Sequence, residues 1–354
     1  MHLGHAGAAL VLASGIGLQA EPATAVVGGV PARAASAPWF AKIPFCGAAL
    51  LAPDRVATAA HCVAGLPLRD VGSVRFGSGA ERAATGIAVD PAYVRRALSG
   101  TANPDAPADD VALVTLDRPL TGVTPLRLRR AAPAKGTRAV VFGAGQTSVP
   151  RVAQLPSLRR ATLEVISDGA CRDFYRRHGG RRYRSALRPA TMVCATDPDG
   201  RKPFRSACTG DSGGPLAAGS TLAGIVSWGL RCGGERDPTV FTDPAAYRDL
   251  LQAPAPVLAP VAADAPAVLS GEARVGATLS CTSPAWLRPP TRLTFAFDSY
   301  RFGRGHTTPQ DGPSPTYVVR PADAGRLVAC LATGSTAGGW ETTRPSEGLR
   351  IAGP

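Results

Sequence analysis

Gly210-Asp211-Ser212-Gly213-Gly214-Pro215 sets one hydroxyl and one carboxylate among three glycines and a proline. Glycine adopts conformations that a Cβ forbids, so this stretch reads as a sharp turn that presents Ser212 and lets another chain approach closely. Two segments precede it, Thr58-Ala59-Ala60-His61-Cys62 and Asp109-Asp110-Val111-Ala112-Leu113, each beside an apolar strand-like run. Alone, each reads as an ordinary turn or a core histidine. Three in one order are far more specific.

Outward from these motifs, residues 26 to about 252 alternate short apolar runs, such as Val111–Leu116 and Ala139–Phe142, with turns bearing Gly and Pro. That is the pattern of repeated antiparallel strands. The chain holds 33 Pro and 40 Gly among 354 residues, about a fifth, which favours strands and turns over long helices. One short helix, about Pro244 to Gln252, is predicted to close this part. The stretch 253–266 is almost entirely Ala, Pro, Val and Leu and suits a semi-rigid linker. Residues 267–354 form a second β-rich unit in which Cys281 and Cys330 lie in apolar, strand-like surroundings.

Composition narrows the class. With 45% hydrophobic and 18% charged residues the chain is not wholly disordered. No apolar run approaches the roughly 20 residues a membrane-crossing helix needs. The net charge of +13 rests on arginine, since the lysines are Lys42, Lys135 and Lys202 alone. No nucleic-acid-binding motif accompanies the charge, and a GC-rich genome gives the same arginine bias, so nucleic acid is not an expected partner. Residues 1–25, with a short apolar stretch and small residues at Ala23 and Ala25, read as an export signal. A rival cut after Ala20 leaves a propeptide, residues 21–25. Eight cysteines, an even number, fit an oxidising compartment. The predicted location is extracellular or periplasmic, in a bacterium. No cofactor motif, no metal-ligand cluster and no Cys-x-x-Cys pair stands in the chain.

The three motifs, in this order, resemble those of the chymotrypsin/trypsin-like serine peptidases from Val26 to about Gln252. The resemblance implies two antiparallel β-barrels with the cleft between them. It implies Ser212 as nucleophile, His61 as general base and acid, and Asp110 as the carboxylate that fixes the imidazole. Backbone N–H groups of Gly210 and Ser212 are implied as the oxyanion hole. It also implies the disulfides Cys46–Cys62, Cys171–Cys194 and Cys208–Cys232, which leaves Cys281 for Cys330. Val26-Val27-Gly28-Gly29 resembles the family's mature N-terminus, whose ammonium pairs with the acid before the nucleophile, here Asp211.

For specificity, the position six before the nucleophile forms the pocket base, and here it is Ser206. Ser227-Trp228-Gly229 matches the segment that pairs with substrate backbone, and Thr239 stands where larger pockets have Gly. Medium-sized uncharged side chains are therefore expected before the scissile bond. The alternative, cleavage after Arg or Lys, needs Glu235 or Asp237 to enter the pocket.

In the tail, Val275–Cys281, Tyr317–Gly325, Cys330 and Ala337-Gly338-Gly339 resemble the immunoglobulin-like repeats of secreted bacterial proteins, which are β-sandwiches. The whole reads as an all-β, secreted, monomeric serine endopeptidase acting on proteins or peptides. A competing reading makes it a binding protein on an inactive peptidase scaffold. Seven arginines between Cys171 and Cys194, or the tail, offer a docking patch for an acidic substrate or a cell-surface polymer. If the tail is a mere tether, deleting residues 253–354 leaves peptide hydrolysis intact.

Overall fold

The computed structural model describes residues 25–145, 158–301 and 304–353. Residues 1–24 of the predicted export signal, with Ala20 and Ala23, lie outside the described residues. The all-β expectation holds.

The first barrel closes in the order Phe40–Ile43, Cys46–Ala52, Arg55–Thr58, Ala112–Leu116, Glu81–Val89 and Ser73–Phe76, all antiparallel. Its strands are short and rich in Val, Leu and Ala, and Leu50, Val56, Leu113 and Val114 are fully buried inside it. The second barrel runs Arg138–Gly143, Arg159–Val165, Met192–Thr196, Thr239–Thr242, Thr221–Gly229 and Pro215–Ala218, and closes on its first strand. Phe142, Leu222 and Ile225 of this barrel join the core of the first. The two barrels therefore share one apolar seam, which fixes the cleft along it. The predicted closing helix appears as a 3-10 turn, Pro244–Tyr247, running into Arg248–Leu251. Tyr247 and Leu251 bury against the first barrel.

All four disulfides form as the resemblance implied. The three in the barrels close loops of 16 to 24 residues, each worth about 3 kcal/mol on the chain-entropy estimate.

Beyond residue 266 the strands Val268–Gly271, Thr278–Thr282 and Thr316–Val318 form one sheet. Arg292–Arg301, Arg304–Gly312, Leu327–Thr336, Gly339–Thr342 and Leu349–Arg350 form another. The Cys281–Cys330 bridge joins the two, over a core of Leu279, Phe297, Tyr317 and Val328.

The stretch 253–266 is not a free spacer. Ala259 N–H donates to Ile87 O at 2.7 Å, and Leu258 fills the space that a side chain at Gly86 would need. Arg55 reaches the carbonyls of Ala253 and Pro254, and Val261–Ala262 pairs with Trp286–Arg288. The tail itself touches the barrel: Val89 N–H donates to Gly338 O at 2.8 Å, and Gly65 bridges Glu341. The Trp340 indole lies so close to Gly65 that a Cβ there would sit 2.6 Å from its Nε1.

Candidate active site

Antiparallel register brings the first two motifs together. Thr58 lies opposite Ala112, so the chain leaving one strand at His61 and the chain entering the other at Asp110 emerge from the same barrel end. His61 sits in the 3-10 turn Ala60–Cys62, anchored by the Cys46–Cys62 disulfide.

Asp110 is 1% exposed. Its Oδ1 accepts the His61 backbone N–H at 2.9 Å, and its Oδ2 lies 2.8 Å from His61 Nδ1. Ser227 Oγ donates to the same Oδ2 at 2.5 Å. Burial alone would push the Asp110 carboxyl up, but the imidazole, the Ser227 hydroxyl and the backbone N–H outweigh it and hold it below the usual carboxylate range. For His61 burial disfavours the charged ring, yet the Asp110 carboxylate and its hydrogen bond win, and the net shift is upward. Neighbouring Asp109 is turned away. It has φ +56°, accepts the Tyr247 hydroxyl at 2.7 Å and pairs with Arg96.

The Gly210–Pro215 turn is built as its glycines suggested. Gly210 and Gly213 have φ of +86° and +75°, and a Cβ at Gly213 would sit 2.2 Å from Thr58 Oγ1. Gly213 N–H donates to Val226 O and Gly47 N–H to Ser212 O, both at 2.8 Å, which ties the turn to both barrels. The N–H groups of Gly210 and Ser212 have no acceptor among the described residues. His61 and Ser212 line one cavity of about 360 Å³, together with Asp105, Trp228, Gly229, Arg231 and Thr239.

Ser206, expected as the pocket base, is not among the residues lining that cavity; it is 2% exposed, and its hydroxyl accepts the Gly233 N–H at 2.8 Å. Asp237 is buried and held by Arg231, with Nε to Oδ2 at 2.7 Å and a second nitrogen to Oδ1 at 3.1 Å. Glu235 is exposed. Neither acid lines the cavity. Cys46, His61 and Cys62 present ligand-type atoms within 4.8 Å of one another, but both sulfurs are committed to the disulfide.

Val26 N–H donates to Asp211 Oδ2 at 2.7 Å. Cys208 N–H reaches the same oxygen at 2.9 Å, and Gly145 N–H reaches Oδ1 at 3.2 Å. In the uncut chain the Val26 nitrogen is a peptide N–H and carries no charge. Burial therefore pushes the Asp211 carboxyl up to about 6 despite these bonds. Val26 itself has φ +46°, an uncommon conformation for a β-branched residue.

Two contributions were not legible in the sequence. Ser227 carries a sequence expectation only as a backbone partner for substrate, yet its hydroxyl donates to Asp110. Lys42 donates to Ala144 O at 2.5 Å, on the same peptide group whose N–H, that of Gly145, binds Asp211. Its one sequence signal is that it is among three lysines in an arginine-rich chain.

Two closed antiparallel barrels, with a serine, an imidazole and a buried carboxylate converging between them, define the class of chymotrypsin-like serine endopeptidases. Residues 26–251 match the trypsin family model, and the chain belongs to the trypsin family. A trypsin of Saccharopolyspora erythraea is 32% identical over 241 residues, covering 64% of this chain and 96% of that protein. Human kallikrein-11 is 31% identical, covering 65% of this chain and 80% of its own length. The solved structure of neuropsin, a serine protease expressed in the limbic system of mouse brain, superposes with a TM-score of 0.50 at 26% identity, over 63% of this chain and 97% of that one.

Proposed function

We propose that this endopeptidase cleaves peptide bonds through His61, Asp110 and Ser212. Asp110 holds His61 Nδ1, which leaves Nε2 unprotonated to take the Ser212 proton as Oγ attacks the scissile carbonyl carbon. The negative charge that develops on the carbonyl oxygen is received by the N–H groups of Gly210 and Ser212, each worth roughly 3 to 4 kcal/mol. His61 then gives the proton to the leaving amine, and the C–N bond breaks. Water hydrolyses the resulting acyl-enzyme by the same exchange. The observation that carries this reading is the doubly bonded Asp110–His61 contact, with His61 lining the same cavity as Ser212.

The side chain before the scissile bond is medium-sized and uncharged. Thr239 lines the cavity where a glycine would leave more room, no Glu235 or Asp237 carboxylate lines it, and Asp237 already holds the Arg231 guanidinium. Relatives named trypsins favour the rival preference for Arg or Lys, but a buried cation with no partner costs several kcal/mol.

The enzyme is secreted with Val26 as its first residue, the tail is an immunoglobulin-like domain of residues 267–354, and the freed Val26 ammonium binds Asp211. The disulfide joining two tail sheets supports the immunoglobulin-like reading. A cleavage profile on a peptide library, with the Ser212→Ala variant as control, tests the proposal. Substantial turnover by that variant would sink it.

A further inference from the structure

The segment 171–194, closed by its disulfide, has two unlike sides. Its inner side is aromatic. Tyr175 is fully buried, its ring 4.9 Å from that of Trp228, and its hydroxyl donates to Pro238 O at 2.6 Å. Tyr183 lies 5.8 Å from the same indole. The helices Asp168–His178 and Gly180–Arg184 are thereby fixed against Trp228, which lines the cavity. Asn103 Nδ2 donates to Arg182 O at 2.7 Å, and the Arg182 guanidinium binds Asp105, another cavity-lining residue.

The outer side is cationic. All seven arginines of the segment are exposed, and Asp168 and Asp173 are the acids these helices carry. Arg176 is paired with Asp173 at 3.0 Å, and Arg188 caps the carbonyls of Ser185 and Leu187. Arg172, Arg177, Arg181 and Arg184 have no carboxylate partner among the described residues. Several like charges held on two short, docked helices repel one another, and an incoming carboxylate relieves that repulsion. The guanidinium fork binds carboxylates through paired, charge-assisted hydrogen bonds.

We propose that this face is an exosite for an acidic polypeptide segment of the substrate, lying on the N-terminal side of the scissile bond. The reading rests on the proposed peptidase function, because it takes the strand ending in Trp228 and Gly229 as the one that aligns substrate backbone. A chain so aligned passes Trp228 and meets the arginine face that the two tyrosines hold beside it. The occupant is polypeptide, because the face is continuous with the cleft wall through Arg182 and Asp105. Its uncompensated charge is positive, so the complementary residues are Asp and Glu. The exosite acts on substrate capture: it raises the encounter rate and lowers KM, and leaves the acyl-transfer step alone.

The test uses the secreted full chain and three peptides sharing the residues around the scissile bond: a short one, one extended upstream by four glutamates, and one extended by four glutamines. The glutamate peptide is expected to show about tenfold higher kcat/KM than the glutamine peptide at low salt, in the KM term, falling toward parity at 0.5 M salt as charges are screened. In Arg177→Gln/Arg181→Gln/Arg184→Gln the preference disappears while turnover of the short peptide is unchanged. That unchanged turnover shows the variant to be folded. A preference that survives the triple substitution, or resists salt, overturns the exosite, as does equal handling of both extended peptides by the wild-type enzyme. Binding of an anionic polymer such as polyphosphate to this face, without preference for the acidic peptide, overturns it too. Failure to cleave even the short peptide would count against the peptidase reading instead.

Discussion

Ser227 Oγ and His61 Nδ1 share one oxygen of Asp110, at 2.5 and 2.8 Å. Ser227 comes from the second barrel and His61 from the first, so the carboxylate is held from both sides of the cleft. A hydrogen bond to a charged group contributes about 1.5 to 3 kcal/mol. Ser227→Ala is expected to lower kcat/KM by roughly tenfold. It should also move the low-pH limb upward, because a carboxylate deprived of one donor attracts the imidazolium more strongly. A pH profile superposable on that of the wild type would rule out the shared contact.

His61 must be neutral to act as base, and its proton affinity is raised, so activity is expected to fall away below a midpoint lying above 6.5. Asp110→Asn removes the raising influence and leaves burial, so the imidazole then titrates lower; activity nonetheless falls by about 10⁴ because the tautomer is no longer fixed. Ser212→Ala and His61→Ala should be at least as severe and not additive, since the three act as a unit. NMR titration of His61 in the active enzyme and in Asp110→Asn checks the direction of the shift.

Cleavage is expected after Leu, Met or Val, with Arg and Lys poor. Thr239→Gly should move the preference toward Phe and Tyr by deepening the cavity. Efficient cleavage after Arg, with little after Leu, would mean that Asp237 leaves Arg231 and enters the cavity in solution.

Cutting before Val26 converts a neutral N–H on Asp211 into an ammonium. In the uncut chain the Asp211 carboxyl titrates near 6 against an ordinary 3.8, so the folded state holds a proton that the unfolded chain has lost. Stability is then full below about pH 4 and falls, by about 3 kcal/mol, as pH rises to 6. In the processed enzyme the ammonium stabilises the carboxylate and this loss disappears. Denaturant unfolding of both forms between pH 4 and 7, each identified by N-terminal sequencing, checks the sign. An equal slope in both forms would refute the pairing.

Deleting residues 253–354 is expected to destabilise the first barrel and reduce peptide hydrolysis, contrary to what a flexible tether would give. Trp340 and Glu341 dock on Gly65, four residues past His61 in the same loop. The removal also exposes the edge that Ala259 and Gly338 cover at Ile87 and Val89. Thermal melting and turnover of the truncated chain decide it; full activity and an unchanged melting temperature would restore the tether.

The sequence by itself determined what short-range chemistry and family order can fix. Gly210 and Gly213 demand positive φ, the acid before Val111-Ala112-Leu113 is the one at the strand mouth, and the eight cysteines divide into four bridges. Tertiary structure decided which groups meet across long separations. Ser227 is 117 residues from Asp110 and Lys42 is 102 from Ala144, and no local periodicity encodes either contact. The same holds for residues 253–266. Their Ala- and Pro-rich composition is compatible with a spacer, but whether such a segment stays free depends on what surface lies beside it. Here the strand Glu81–Val89 offered Ile87 O as an unmet acceptor and Gly86 as a gap for Leu258, and the linker became part of the barrel wall.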